Sequence, residues 1–160
     1  KNSIMPIYYH IHRSMKKSPI ENNFKEGKML FFSKKNSFWH NFEKDVGLDW
    51  GGYSEYKITI PQKYFTYSLK PRKKNKILKL TPKNIKEFIK LHETKYNGSK
   101  LRDDYINKNF IRIDATNKKL RNLYKVLKYS SDEQLDPPAG WITKKFKDIS
   151  IQKVKVVKSD

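Results

Sequence analysis

The feature that bears hardest on this chain is electrostatic: 36 Lys and Arg stand against 16 Asp and Glu, a formal charge of +20 on 160 residues. Folding brings those ammonium groups together, and an apolar core must offset their repulsion. The means are present. Hydrophobic residues make up 36% of the chain and aromatic residues 14%, with 9 Phe, 10 Tyr and 3 Trp to fill an interior. That suffices for one domain with arms, or for two very small ones. There are no cysteines, which excludes a disulfide framework and any zinc site built on thiolates. No apolar run approaches the roughly 18 residues that a helical membrane span needs.

The basic excess has a trivial explanation that must be weighed. Lysine (31) far outnumbers arginine (5), and 12 Asn accompany abundant Ile, Tyr and Phe, as in a coding sequence drifting toward A and T. Such drift raises Lys. It does not lower Glu, whose codons are also A-rich, yet the chain has only 7 Glu. The shortage of acid therefore points to a polyanionic partner, and neutralised phosphate is the commonest reason for a field this large.

Basicity runs along the whole chain. The first 80 residues carry 17 basic and 6 acidic side chains, the last 80 carry 19 and 10. From Tyr56 to Lys86 there are 10 basic residues and no acid, densest at Lys70-Pro71-Arg72-Lys73-Lys74-Asn75-Lys76. Residues 1–20 are also free of acid, and Lys144 to Lys158 holds six lysines against Asp148 alone. Residues 1–20 lack the arginine-rich amphipathic face of a transit peptide.

The pattern predicts an α+β fold: a small antiparallel sheet of three to five short strands, two amphipathic helices, and extended N- and C-terminal arms. Residues 1–27 are expected to form the N-terminal arm, 28–143 the α+β domain and 144–160 a basic C-terminal strand or arm. Within the domain, Lys28 to Ser33 reads as a strand. Ser37 to Val46 reads as a short helix with Ser37 as N-cap and Phe38, Trp39 and Phe42 on its apolar side. Gly51-Gly52 marks a tight turn. Tyr56 to Ile60 alternates with the strand period, as do Phe65, Tyr67 and Leu69. Ile77 to Leu80 is a further strand, and the loop from Lys70 to Lys76 would make a hairpin with a basic tip. Thr81-Pro82 starts a helix reaching about Tyr96, with Ile85, Phe88 and Ile89 on its apolar face. A second helix is expected from Asp114 or Thr116 to about Tyr129, with Leu120, Leu123, Tyr124 and Leu127 as its stripe. Phe146 to Val157 reads as one or two terminal strands.

The candidate binding residues follow from that pattern. On the hairpin tip and its flank they are Lys70, Arg72, Lys73, Lys74, Lys76 and Lys79, where a cationic loop would reach into grooves closed to a globular body. Lys83, Lys86 and Lys90 on the first helix, and Lys118, Arg121, Lys125 and Lys128 on the second, recur at spacings of three and four. Each row lies opposite its helix's apolar stripe. Like charges at that spacing repel mildly, and a phosphate backbone along the face reverses the sign.

Catalytic signals are weak. His10-x-His12 would point to one side of a strand but has no third ligand nearby, so no metal is expected. The carboxylate groups Asp103-Asp104, and Asp45 with Asp49, have no supporting ligands. No P-loop, dinucleotide fingerprint or nucleophile elbow is present. The expectation is therefore a non-enzyme without cofactor. In type, the chain resembles ribosomal proteins: basicity throughout, arms around a small body, no catalytic constellation. That resemblance implies a structural RNA-binding protein of a large ribonucleoprotein particle, with rRNA and neighbouring proteins as partners and no small-molecule substrate. The location it implies is intracellular, a mitochondrial ribosome before a cytosolic one. Two other classes fit the charge. One is a non-catalytic accessory subunit of a mitochondrial or cytoskeletal assembly docking on an anionic surface. The other is a free-standing DNA-binding domain.

Overall fold

The structure, a computed structural model, describes residues 5–13, 30–69, 73–95, 110–129, 138–142 and 147–159. In chain order its elements are β1 (Ile7–Arg13), β2 (Leu30–Ser33), α1 (Phe38–Asp49), β3 (Gly52–Thr59), β4 (Phe65–Thr66) and β5 (Lys73–Lys79). These are followed by α2 (Ile85–Lys95), β6 (Phe110–Ala115), α3 (Leu120–Val126), β7 (Ala139–Ile142) and β8 (Ser150–Lys158). Two compact units divide the chain, one of residues 1–62 with 143–160 and the other of residues 63–142.

The first unit holds four antiparallel strands in the order β2-β1-β3-β8. Strand β1 is bonded on both sides, with Tyr9 opposite Ser33 and the run Ile7 to Arg13 opposite Thr59 to Tyr53. The expected N-terminal arm is thus, over Ile7–Arg13, an internal strand; residues 14–29 lie outside the described residues. The physical reason is that Ile7, Tyr8, Tyr9 and Ile11 are residues that favour strands, and β2 and β3 take up the hydrogen-bonding groups of both its edges. Tyr8 and Phe32, both fully buried, meet with ring centroids 4.5 Å apart. The C-terminal stretch holds a strand, the first of the two forms expected for it: β8 pairs with β3 along its whole length. Its register shifts between Glu55, opposite Lys155, and Tyr56, opposite Lys153, so that Val154 is the extra residue of a bulge.

Helix α1 starts as expected. The Ser37 hydroxyl accepts the His40 N–H at 3.3 Å, which satisfies one of the four donors a helix start leaves open. Its orientation does not follow the aromatic stripe. His40 and Gly47 are the buried residues, whereas Phe38 and Phe42 are exposed. Two local fits decide this. A Cβ on Gly47 would stand 2.9 Å from the Tyr53 Cβ and 3.3 Å from the Gly52 carbonyl oxygen, so only glycine lets α1 lie this close to β3. Beside it, the His40 Nδ1 accepts the backbone N–H of Asn36 at 2.9 Å and its Nε2 stands 3.0 Å from Glu55 Oε1. A backbone N–H can only donate, so the proton sits on Nε2 and is donated to Glu55. At the far end Gly51 (φ 96°) and Gly52 (φ 126°) reverse the chain into β3, the expected tight turn.

The second unit holds β4, β5, β6 and β7 in that order. Strands β4, β5 and β6 are parallel, and β6 and β7 antiparallel. The expected hairpin is absent: Phe65 pairs with Ile77 and Thr66 with Leu78 in parallel, and the described part of the basic tract, Lys73 to Lys76, belongs to β5. Alternating periodicity reports a strand but not its direction.

Asn84 ties the end of β5 to α2. Its Oδ1 accepts the Thr81 N–H at 2.8 Å while its Nδ2 donates to the carbonyls of Tyr67 (3.0 Å) and Lys79 (2.8 Å). The Thr81 hydroxyl in turn accepts the Lys83 N–H at 3.2 Å, a reciprocal cap. Helix α2 carries the chain from β5 to its parallel neighbour β6. Strand β6 occupies Asp114, where the second helix was expected to begin. The buried Asp114 instead accepts from the Thr116 N–H and hydroxyl at 2.8 and 2.5 Å, and α3 begins only at Leu120. One apolar cluster receives both helices: Ile85, Phe88 and Ile89 from α2, Leu120 and Tyr124 from α3, with Leu78, Leu80 and Ile113 beneath.

The described residues thus form eight strands of mixed direction and three helices, which overturns the small antiparallel sheet of three to five strands with two helices. The undercount arises because the sequence reads β1 as part of an arm, β6 overlaps the expected start of the second helix, and β7 has too few residues to show a period.

Two outcomes follow. Gly47→Ala should lower stability by about 1–2 kcal/mol in urea unfolding, because overpacking against Tyr53 outweighs the gain in helix propensity; an exposed helical Gly→Ala change would raise it. Burial holds the His40 imidazole below its ordinary pKa, with Lys44 and Lys35 acting in the same sense against Glu55. The unfolded chain therefore takes up the proton first, and the stability from neutral His40 is present above about pH 6.5 and lost as pH falls below it. Thermal unfolding between pH 7.5 and 5.5 should be steeper in wild type than in His40→Gln.

Candidate nucleic-acid interface

The two helices of the second unit present their lysines as their burial dictates. On α2, Ile85, Phe88 and Ile89 are buried, and Lys86 and Lys90 are exposed together with Lys83 in the preceding turn. On α3, Leu120 and Tyr124 are buried, Lys125 is exposed and Arg121 half-buried, and Lys118 is exposed in the turn before the helix. Because both stripes enter one cluster, both basic rows lie on the solvent side of the same layer.

Lys128 is exposed but does not continue the second row. Helix α3 ends at Val126, and Lys128 adopts a left-handed φ of 54°. Its N–H donates to the Lys125 carbonyl at 3.1 Å, and the Tyr129 N–H to the Tyr124 carbonyl at 2.8 Å. This is the double-bonded C-terminal cap that normally ends in glycine. The Tyr124 and Tyr129 rings close it at 5.0 Å, edge to face. A lysine at this position costs about 1 kcal/mol against glycine, and its side chain leaves the helix in a direction the row of three and four does not predict.

The remaining expected residues separate from these rows. Lys79 shares a strand face with Ile77, opposite Leu78 and the helices, and its ammonium lies over the Phe65 ring, 5.0 Å from the centroid. The Lys76 ammonium donates to the Lys63 carbonyl. Both cations are thus engaged within the protein. Lys70 and Arg72, and the side chains of Lys73 and Lys74, lie outside the described residues. So do residues Asp103 and Asp104.

The histidine pair behaves as its spacing implied. His10 and His12 lie on one side of β1 with rings 5.9 Å apart, and both face Tyr56 at 6.3 Å. Lys153 caps that ring from β8, 5.8 Å from its centroid. The His10 Nδ1 is 2.7 Å from the Phe31 carbonyl oxygen. Among the described residues no three His, Cys, Asp or Glu side chains gather as metal ligands. Asp45 and Asp49 stand one turn apart on the exposed side of α1, and among the described residues they join no group of three such side chains. Among the described residues no helix is long and apolar enough to cross a membrane.

Sequence reasoning missed the outer face of α1, where Phe38 and Phe42 meet solvent. The available signal was Gly47 within the helix, since a glycine amid helix formers marks the side of closest approach.

Comparison with protein-family models, curated proteins and solved structures finds no match.

Lys128→Gly should raise stability by about 1 kcal/mol, read by urea unfolding. If its ammonium meets phosphate, the same change lowers the salt dependence of RNA binding by about one counterion.

Proposed function

We propose that this chain is a structural RNA-binding protein of a large ribonucleoprotein particle, of the type of a mitochondrial ribosomal protein, and that it acts without catalysis. What supports this above all is the pair of basic rows on α2 and α3, both outward on the side of one layer whose inner side is the apolar cluster. Like charges a turn apart on such a row repel. Along a sugar-phosphate backbone each displaces a condensed counterion and adds affinity with little sequence preference. Lys128 at a position suited to glycine fits the same use, since binding sites often retain local strain. The partner is rRNA or another structured RNA, held by position and charge.

The test has two parts. In a native extract the protein should sediment with a heavy particle and shift to light fractions after RNase. Unchanged migration removes the proposal. In vitro, replacing Lys83, Lys86, Lys118 and Lys125 with Gln should flatten the plot of log K against log salt for duplex RNA by about 0.9 per lysine. Equal affinity for B-form DNA would favour the DNA-binding class, and an unaltered slope with anionic vesicles bound instead would favour an anionic surface.

A further inference from the structure

Helix α1 departs from the pattern of α2 and α3. Phe38, Asn41, Phe42, Asp45, Leu48 and Asp49 recur at spacings of three and four and make one continuous face, all of it exposed. Phe38 is 51% exposed, Phe42 43% and Leu48 39%, and Trp50 just beyond the helix is 58% exposed. The two phenylalanine rings stack at 6.0 Å with 14° between their planes, and Trp39 meets both edge-on at 5.3 Å. Isolated apolar residues on a surface require no explanation; a contiguous aromatic face does. This face also contains two carboxylates and no cation, in a chain whose net charge is +20.

We propose that the outer face of α1 is a docking surface for another protein, and that its occupant is a basic amphipathic helix. The occupant's apolar stripe would cover Phe38, Phe42 and Leu48, and its cations would meet Asp45 and Asp49. Helix-to-helix recognition reads anchors at this periodicity. The carboxylates decide the class of partner. They repel phosphate, which opposes both a nucleic acid stacked on the rings and an anionic bilayer. A second copy of the chain brings +20 of its own. At physiological salt, charges farther than about 8 Å are screened, so at contact the two carboxylates on the face, Asp45 and Asp49, outweigh the single lysine of the helix, the half-buried Lys44 beside it. The surface uses none of the residues of α2 and α3, and it stands whether or not those helices bind RNA.

The full chain should be titrated with three probes, reading tryptophan emission because Trp39 and Trp50 adjoin the face. One is a Leu–Lys amphipathic peptide matching the 12 residues of α1 in length; the others are its Leu–Glu counterpart and a short oligouridine. The Leu–Lys peptide should bind saturably at one site. Phe38→Ser with Phe42→Ser should weaken it about tenfold or more, as expected for aromatic anchors. Asp45→Lys with Asp49→Lys should shift preference to the Leu–Glu peptide. Neither pair should alter the circular dichroism or the oligouridine affinity. The proposal falls if wild type binds neither peptide or prefers Leu–Glu. It falls equally if the phenylalanine changes abolish oligouridine binding, which would make the rings a base platform. Self-association in analytical ultracentrifugation, lost in the same variants, would also overturn it by making a second copy the occupant.

Discussion

Burial of two apolar helix stripes against Leu78, Leu80 and Ile113 is the interaction on which the second unit depends. It supplies the hydrophobic contribution that offsets the repulsion of a basic chain. It also determines where the lysines go. Once Ile85, Phe88, Leu120 and Tyr124 are inside, the geometry of a helix leaves Lys86 and Lys125 nowhere but outside, and Lys83 and Lys118 are exposed in the turns that lead into the helices. Basic surface and apolar core are two sides of one constraint.

The first unit obeys a different rule. There α1 approaches β3 through Gly47 and places a buried His40 against Glu55, so close backbone packing and a hydrogen-bonded polar pair define its inner side. A neutral imidazole bonded at both ring nitrogens, to Asn36 and Glu55, satisfies the polar groups that this approach buries. The consequence is that the most apolar stripe of α1 faces outward. One chain therefore presents two kinds of surface, basic rows on α2 and α3 and an aromatic, acidic face on α1. A component that holds RNA and neighbouring proteins together would need both kinds.

Cation–π contacts connect composition to packing. Lys34 over Tyr8, Lys35 over Tyr9, Lys63 over Tyr64, Lys79 over Phe65 and Lys153 over Tyr56 place ammonium groups above rings within 5.8 Å. A chain rich in both residue types finds such pairs readily, and they use cations that would otherwise repel one another. For that reason a count of lysines overstates how many can meet a phosphate, as Lys79 illustrates.

The sequence by itself determined what depends on local chemistry and period. Ser37 and Thr81 announced their caps, Gly51-Gly52 its turn, and the spacing of Ile85, Phe88 and Ile89 the buried side of α2. The opposing lysine rows followed, and so did the common side of His10 and His12. Tertiary structure alone decided pairing and orientation. Strand period carries no direction, so the parallel pairing of Phe65 with Ile77 could not be read. The alternation of Ile7–Arg13 did not disclose that partners lay on both sides, and the left-handed turn at Lys128 arose where glycine was the usual sign. On α1 a stripe was legible but not which side of it would meet the sheet. That choice rested on an approach to β3 too close for any Cβ at Gly47 and on a carboxylate fifteen residues from His40, features that exist only once the chain has folded back on itself.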